Sequence, residues 1–170
     1  MKKLTITLLF LGVFACIAQA QKSKKEAKEQ KKEKQYQQII ELIESQEYEF
    51  TGRKANPQNG PQVDLTTRQN FVRINGENAL GDMPYFGRAF SGGYSSSDGG
   101  VKFDGPMEGL DIQKNEKKRR ITIKFKVKGD GDTYSCTFTI SSMESASLSV
   151  TCNKKQAISY TGMIKALSEE

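Results

Sequence analysis

The strongest constraint on this chain is a strict two-residue alternation through its C-terminal third. Ile121, Ile123, Phe125 and Val127 alternate with Thr122, Lys124, Lys126 and Lys128. In an extended strand successive side chains point to opposite faces, so this pattern puts every apolar side chain on one side. After the turn residues Gly129, Asp130, Gly131 and Asp132, the alternation resumes at Tyr134, Cys136, Phe138 and Ile140. It returns at Leu148, Val150 and Cys152, and again at Ile158, Tyr160, Gly162 and Ile164. A helix would need apolar residues three and four apart, so this region reads as half-buried β-strands.

Upstream the same signal is shorter and more interrupted. Candidate strands run over Tyr48–Lys54, Val63–Leu65 and Asn70–Ile74, the last ended by Asn75 and Gly76 as a tight hairpin turn. Others run over Val101–Asp104 and Glu108–Lys114, separated by the turn signal Gly105 and Pro106. Met83 to Arg88 breaks the pattern, and the Gly/Ser-rich stretch from Ser91 to Gly100 reads as a loop. From Lys22 to about Gln46 the chain has neither Gly nor Pro, and Tyr36, Ile39, Ile40 and Ile43 recur at helical spacing. The expected fold is mainly β: eight to nine short strands in an antiparallel meander forming a small barrel or a sandwich, with an N-terminal helix.

The first twenty residues have the three parts of a signal peptide. Lys2 and Lys3 precede an apolar run from Leu4 to Ile17, and Ala18, Gln19 and Ala20 supply small residues where the peptidase needs them. The run is too short to span a membrane, which takes about 20 residues. The expected product is exported, periplasmic or at the cell surface, with no transmembrane span after cleavage before Gln21. Cys16, preceded by Ala15, leaves a second reading open, a lipid anchor on that cysteine.

Charge divides what remains. The whole chain is +6, residues 21–35 hold seven lysines and three glutamates, and residues 36–170 hold 17 charges of each sign. The basic character therefore belongs to a spacer over 21–35, and a single neutral β-rich domain over 36–170 follows. A folded domain without net positive charge gives no reason to expect nucleic acid as a partner.

The catalytic inventory is narrow. The chain has no histidine, which excludes a Ser-His-Asp triad, a Cys-His dyad and any His-bearing zinc site. No cofactor and no metal site is expected. Asp130 and Asp132 lack the further ligands of a calcium loop and read as a hairpin turn. Asp104, Glu108 and Asp111 are the carboxylates a glycoside hydrolase would need, but nothing sets a separation between them. Lys117, Lys118, Arg119 and Arg120 continue into Lys124, Lys126 and Lys128 as a basic edge. That edge reads either as a solvated face or as a site for an acidic partner. If the strands around Glu144 form a hairpin in which Ile140 faces Leu148, Cys136 faces Cys152; a register two residues away keeps the same faces. A disulfide and two buried free thiols both remain open.

Met83 to Arg88 is the segment that periodicity does not absorb. Pro84 fixes the backbone, Tyr85 and Phe86 are adjacent aromatics, and Arg88 adds one positive charge. One reading is a plug that closes the core. The other is the wall of a ligand or partner site, with Arg88 as anion contact and Tyr85, Phe86 and Tyr94 as aromatic surface.

Met83 to Phe90, with Val101, Lys102 and Phe103 and the stretch Asn153 to Gly162, resembles the exported domain-of-unknown-function 4251 family of Gram-negative envelope proteins. Met83 stands where leucine is common in that family. The resemblance covers about Ile39 to Ile164 and implies an exported β-rich domain, with no activity attached. Two functions follow as expectations. The first is a non-enzymatic periplasmic or surface module that binds a small apolar ligand or an envelope protein. The second is a carboxylate-dependent hydrolase acting on glycans.

Overall fold

The structure, a computed structural model, describes residues 26–90, 99–129, 131–143 and 145–167. The expected signal peptide with Cys16, residues 21–25 of the expected spacer, and Tyr94 lie outside these residues. Among the described residues no helix is long and apolar enough to cross a membrane.

Helix α1 covers residues 26–44. Its later turns bury Tyr36, Ile39, Leu42 and Ile43, while Ile40 is only partly covered. The helix ends where Gln46 turns to φ 55°, a left-handed conformation that leads into the first strand.

Ten strands follow: β1 (Glu47–Pro57), β2 (Val63–Asp64), β3 (Phe71–Asn75), β4 (Asn78–Met83), β5 (Val101–Pro106), β6 (Glu108–Asn115), β7 (Arg120–Gly129), β8 (Asp132–Ser142), β9 (Ser145–Thr151) and β10 (Ile158–Ala166). All pair antiparallel, in the order β5-β4-β3-β1-β10-β9-β8-β7-β6, with β2 beside β1. The first and last long strands are thus neighbours, as Tyr48 opposite Ala166 shows.

The sheet curls into a nearly closed barrel because β5 and β6 are two halves of one bent strand. Only Met107 separates them. The first half pairs with β4, from Met83 opposite Val101 to Asn78 opposite Pro106. The second pairs with β7, from Glu108 opposite Lys126 to Asn115 opposite Arg120. One stretch of chain therefore serves both ends of the sheet. At the seam a side chain on Gly129 would strike the Lys102 carbonyl and Phe103, so only glycine lets β5 lie so near β7.

The interior is filled by side chains. Phe50 and Phe138 meet edge to face at 5.5 Å, Phe125 stacks on Phe138 at 6.2 Å, and Phe103 tilts against Tyr134 at 6.0 Å. Phe103 also covers Gly81 of the neighbouring strand, where a side chain would collide with its ring. β1 bends at an irregularity between Gly52 and Lys54. Asn70 locks that bend: its carbonyl accepts from the Gly52 amide at 2.7 Å, and its amide donates to the Gly52 carbonyl at 3.1 Å.

Of the two architectures the sequence left open, the barrel is the observed one. Two sequence expectations change. Asn78–Met83 is a strand although its small and polar residues gave no strand signal, and Gly105 and Pro106 lie inside β5 rather than in a turn. The β8–β9 register is the second of the two the sequence left open, two residues from the one that would set Cys136 opposite Cys152: Ile140 faces Ala146, Phe138 faces Leu148 and Cys136 faces Val150. The physical reason is an irregularity between Ile140 and Ser142 that tightens the hairpin. Cys152 falls beyond the end of β9, diagonal to Cys136, a relation that separates Cα atoms by about 7–8 Å and exceeds normal disulfide reach. Both cysteines are free thiols, Cys136 buried and Cys152 half-buried.

Candidate functional site

The Met83–Arg88 break is a clamp built from two segments far apart in sequence. After β4, Pro84 presents its carbonyl to the Tyr160 hydroxyl on β10, which donates to it at 2.9 Å. The Tyr85 hydroxyl lies 2.9 Å from the Arg88 carbonyl and 3.1 Å from that of Gln156. Gln156 donates its amide to the Arg88 carbonyl at 3.0 Å, and Phe90 donates its amide to the Lys154 carbonyl at 2.7 Å. Between them Ala89 and Lys155 form an isolated antiparallel bridge. Residues 85–90 and 152–156 therefore behave as one short added ladder at the end of the barrel where β7 ends and β8 begins.

Lys155 is the centre of this arrangement. Its ammonium donates to the Gly100 carbonyl, sits 3.5 Å from the Tyr134 hydroxyl, and lies 5.5 Å from the Tyr85 ring centroid and 5.9 Å from that of Tyr134. A cation between two aromatic faces is attracted to both. Phe86 is half-buried with the Arg68 guanidinium 5.6 Å from its ring centroid.

The chemistry here favours holding protons in place. Burial raises the Tyr85 hydroxyl above its ordinary range against an opposing bond to Gln156. Burial, and then the Asp132 carboxylate, raises the Cys152 thiol, which keeps it in the weakly nucleophilic form. Burial also pushes the Asp132 carboxyl up, but amide donation from Lys154 at 2.9 Å and Thr133 at 2.8 Å outweighs it and holds the group below the usual range. That carboxylate is a turn-fastening group, tying the β7–β8 turn to the β9–β10 loop.

The sequence-derived candidates separate accordingly. Tyr85 and Phe86 belong to the clamp and face its interior, whereas the Arg88 side chain is exposed and forms no ion pair with another described residue. Tyr94 lies outside the described residues. Cys136 and Cys152 do not pair. The carboxylates are distributed rather than gathered: Asp104 is on β5, Glu108 forms an ion pair with Lys128 at 3.2 Å, and Asp111 accepts from Gln113 at 2.8 Å. Sequence reasoning missed Phe90, which is 65% exposed although its backbone is bonded into the ladder. An isolated phenylalanine beside a Gly/Ser run was the available signal.

Fold and site define a small, nearly closed antiparallel β-barrel that carries a clamp between residues 85–90 and 152–156. The family described as a domain of unknown function, DUF4251, matches residues 30–164, and the chain belongs to that family. Among solved structures, a DUF4251 family protein from Bacteroides eggerthii is similar at 18% identity and a TM-score of 0.59, over 78% of this chain and 87% of that one. That likeness concerns the fold. No curated protein matches the chain.

Proposed function

We propose that this chain is an exported, non-enzymatic module of the bacterial envelope or cell surface that binds a protein partner through the rim formed by Arg88 and Phe90. The observation that carries the reading is Phe90: its ring is 65% exposed while its own amide and the adjacent Ala89–Lys155 bridge fix the backbone. Burying an exposed aromatic side chain is worth about 1.5–3 kcal/mol, and a side chain on fixed backbone loses less freedom on docking. Arg88 beside it adds a directional cation of the kind enriched at interface hot spots. The packed aromatic interior favours a protein over a small apolar ligand. Export rests on Lys2, Lys3, the run to Ile17 and the Ala18–Ala20 site. The lack of histidine, the ion pair of Glu108 with Lys128 and the bond from Gln113 to Asp111 weigh against the hydrolase reading.

The test is photo-crosslinking in the native cell, with a photoreactive residue at position 90 and, as control, at the exposed Lys54. A discrete protein adduct from position 90 that disappears on Arg88→Ala, at unchanged protein level, supports the reading. Identical adducts from both positions, or none from position 90, overturn it.

A further inference from the structure

We propose that the free edge of β6 accepts an extended acidic segment of a partner protein as an added antiparallel strand. The β6–β7 turn lies at the opposite end of β7 from the clamp, and the proposal stands or falls apart from the Arg88–Phe90 rim.

β6 differs from every other long strand of the barrel. All eight of its residues are exposed, and among the described residues it pairs with β7 alone, at the end of the sheet order. The other end strand, β5, has its second side occupied by the close approach of β7 at Gly129. Leu110 and Ile112 are 39% and 38% exposed, two residues apart on one strand. Ile112 lies opposite the fully buried Ile123, so this exposed side chain continues the inward-facing side of the sheet past its last strand, with Leu110 in the irregular stretch just before it. The irregularity between Glu108 and Asp111, with Gly109 at φ 66°, bounds the regular edge at its start, and the turn at Glu116 bounds it at its end.

Charge identifies the occupant. From Glu108 to Lys128 the chain has eight basic residues and three acidic ones, whereas the rest of 36–170 has nine basic and 14 acidic. A domain that is neutral in total thus concentrates a charge of +5 on one hairpin. Lys117, Lys118 and Arg120 at its turn are exposed, while Lys114 is held by Glu44 of α1 at 2.5 Å. A second copy would bring two such hairpins together, so self-pairing along this edge is opposed. An anionic membrane would answer the charge but not the row of directional backbone donors and acceptors, which a peptide strand satisfies.

Antiparallel pairing also fixes the sequence that fits. The incoming strand begins near the turn, where acidic residues meet Lys117 and Lys118. Further on, an apolar side chain meets Ile112, a hydroxyl or basic residue meets Asp111, and a further apolar side chain reaches the exposed Leu110 beyond the regular edge.

The experiment is a titration of the isotope-labelled mature protein, followed by backbone amide resonances. The probe is a nine-residue synthetic peptide of three glutamates followed by alternating valine and threonine. Saturable shifts confined to residues 110–118 are expected, with affinity about tenfold weaker for the double variant Lys117→Glu, Lys118→Glu. The same peptide N-methylated at alternate amides is expected not to bind. Absence of saturable shifts at β6, equal binding of the N-methylated peptide, or preferential perturbation of these amides by phosphatidylglycerol vesicles would each overturn the proposal.

Discussion

The Tyr85 hydroxyl reaches two carbonyls, of Arg88 and Gln156, and so joins the two halves of the clamp. Tyr85→Phe removes the donor and leaves both acceptors in a partly buried place. The expected cost is about 1 kcal/mol in denaturant unfolding, with Arg88→Ala and Phe90→Ala within about 0.5 kcal/mol of the parent because their side chains face solvent. At the same scale, burial pushes the Cys136 thiol up to about 12, above its ordinary value of 9.0. Below the unfolded value both states keep the proton and the contribution is constant. As pH rises from about 9 toward 12 the unfolded thiol ionises while the folded one does not, so stability falls, by up to about 1.4 kcal/mol per pH unit. Burial raises Tyr48 and Tyr160 in the same direction, adding to the loss at high pH. Unfolding midpoints measured from pH 7 to 11 check this, and a midpoint independent of pH would refute it.

Among the elements, the β8–β9 hairpin makes the thiol state countable. Two free thiols are expected in the denatured, unreduced mature protein, with only the half-buried Cys152 open to a thiol reagent in the native state. None after denaturation would mean that the register is wrong. The β1–β10 pair is limited by glycine: Gly52 and Gly162 face each other, and a side chain on Gly162 would strike the Thr51 carbonyl. Gly162→Ala is expected to destabilise by about 1–3 kcal/mol through forced separation of the strands, read as a lowered denaturation midpoint. These elements also show what the sequence could express. β7, β8 and β10 were legible because one face meets a core and the other meets water. β4 was not, since Ala79 and Gly81 are small to make room for neighbours such as the Phe103 ring, a requirement set by another strand. Likewise Met83–Arg88 was legible as an exception but not as a clamp, because its partners at 152–156 lie some seventy residues away.

For the whole molecule, the bent β5–β6 strand sets the architecture: it closes the barrel at one end of the sheet and leaves an unpaired edge at the other. The two proposed binding surfaces lie apart on this barrel, a clamp that holds Arg88 and Phe90 in solvent and a basic hairpin with a free strand. The central claim is that residues 84–90 are a fixed platform rather than a lid over a ligand cavity. Native-state hydrogen exchange at the Phe90 and Gln156 amides tests it most directly, since both are bonded across the clamp. Protection approaching that of the β10 core amides is predicted, whereas exchange at the rate of an unprotected loop would contradict the account.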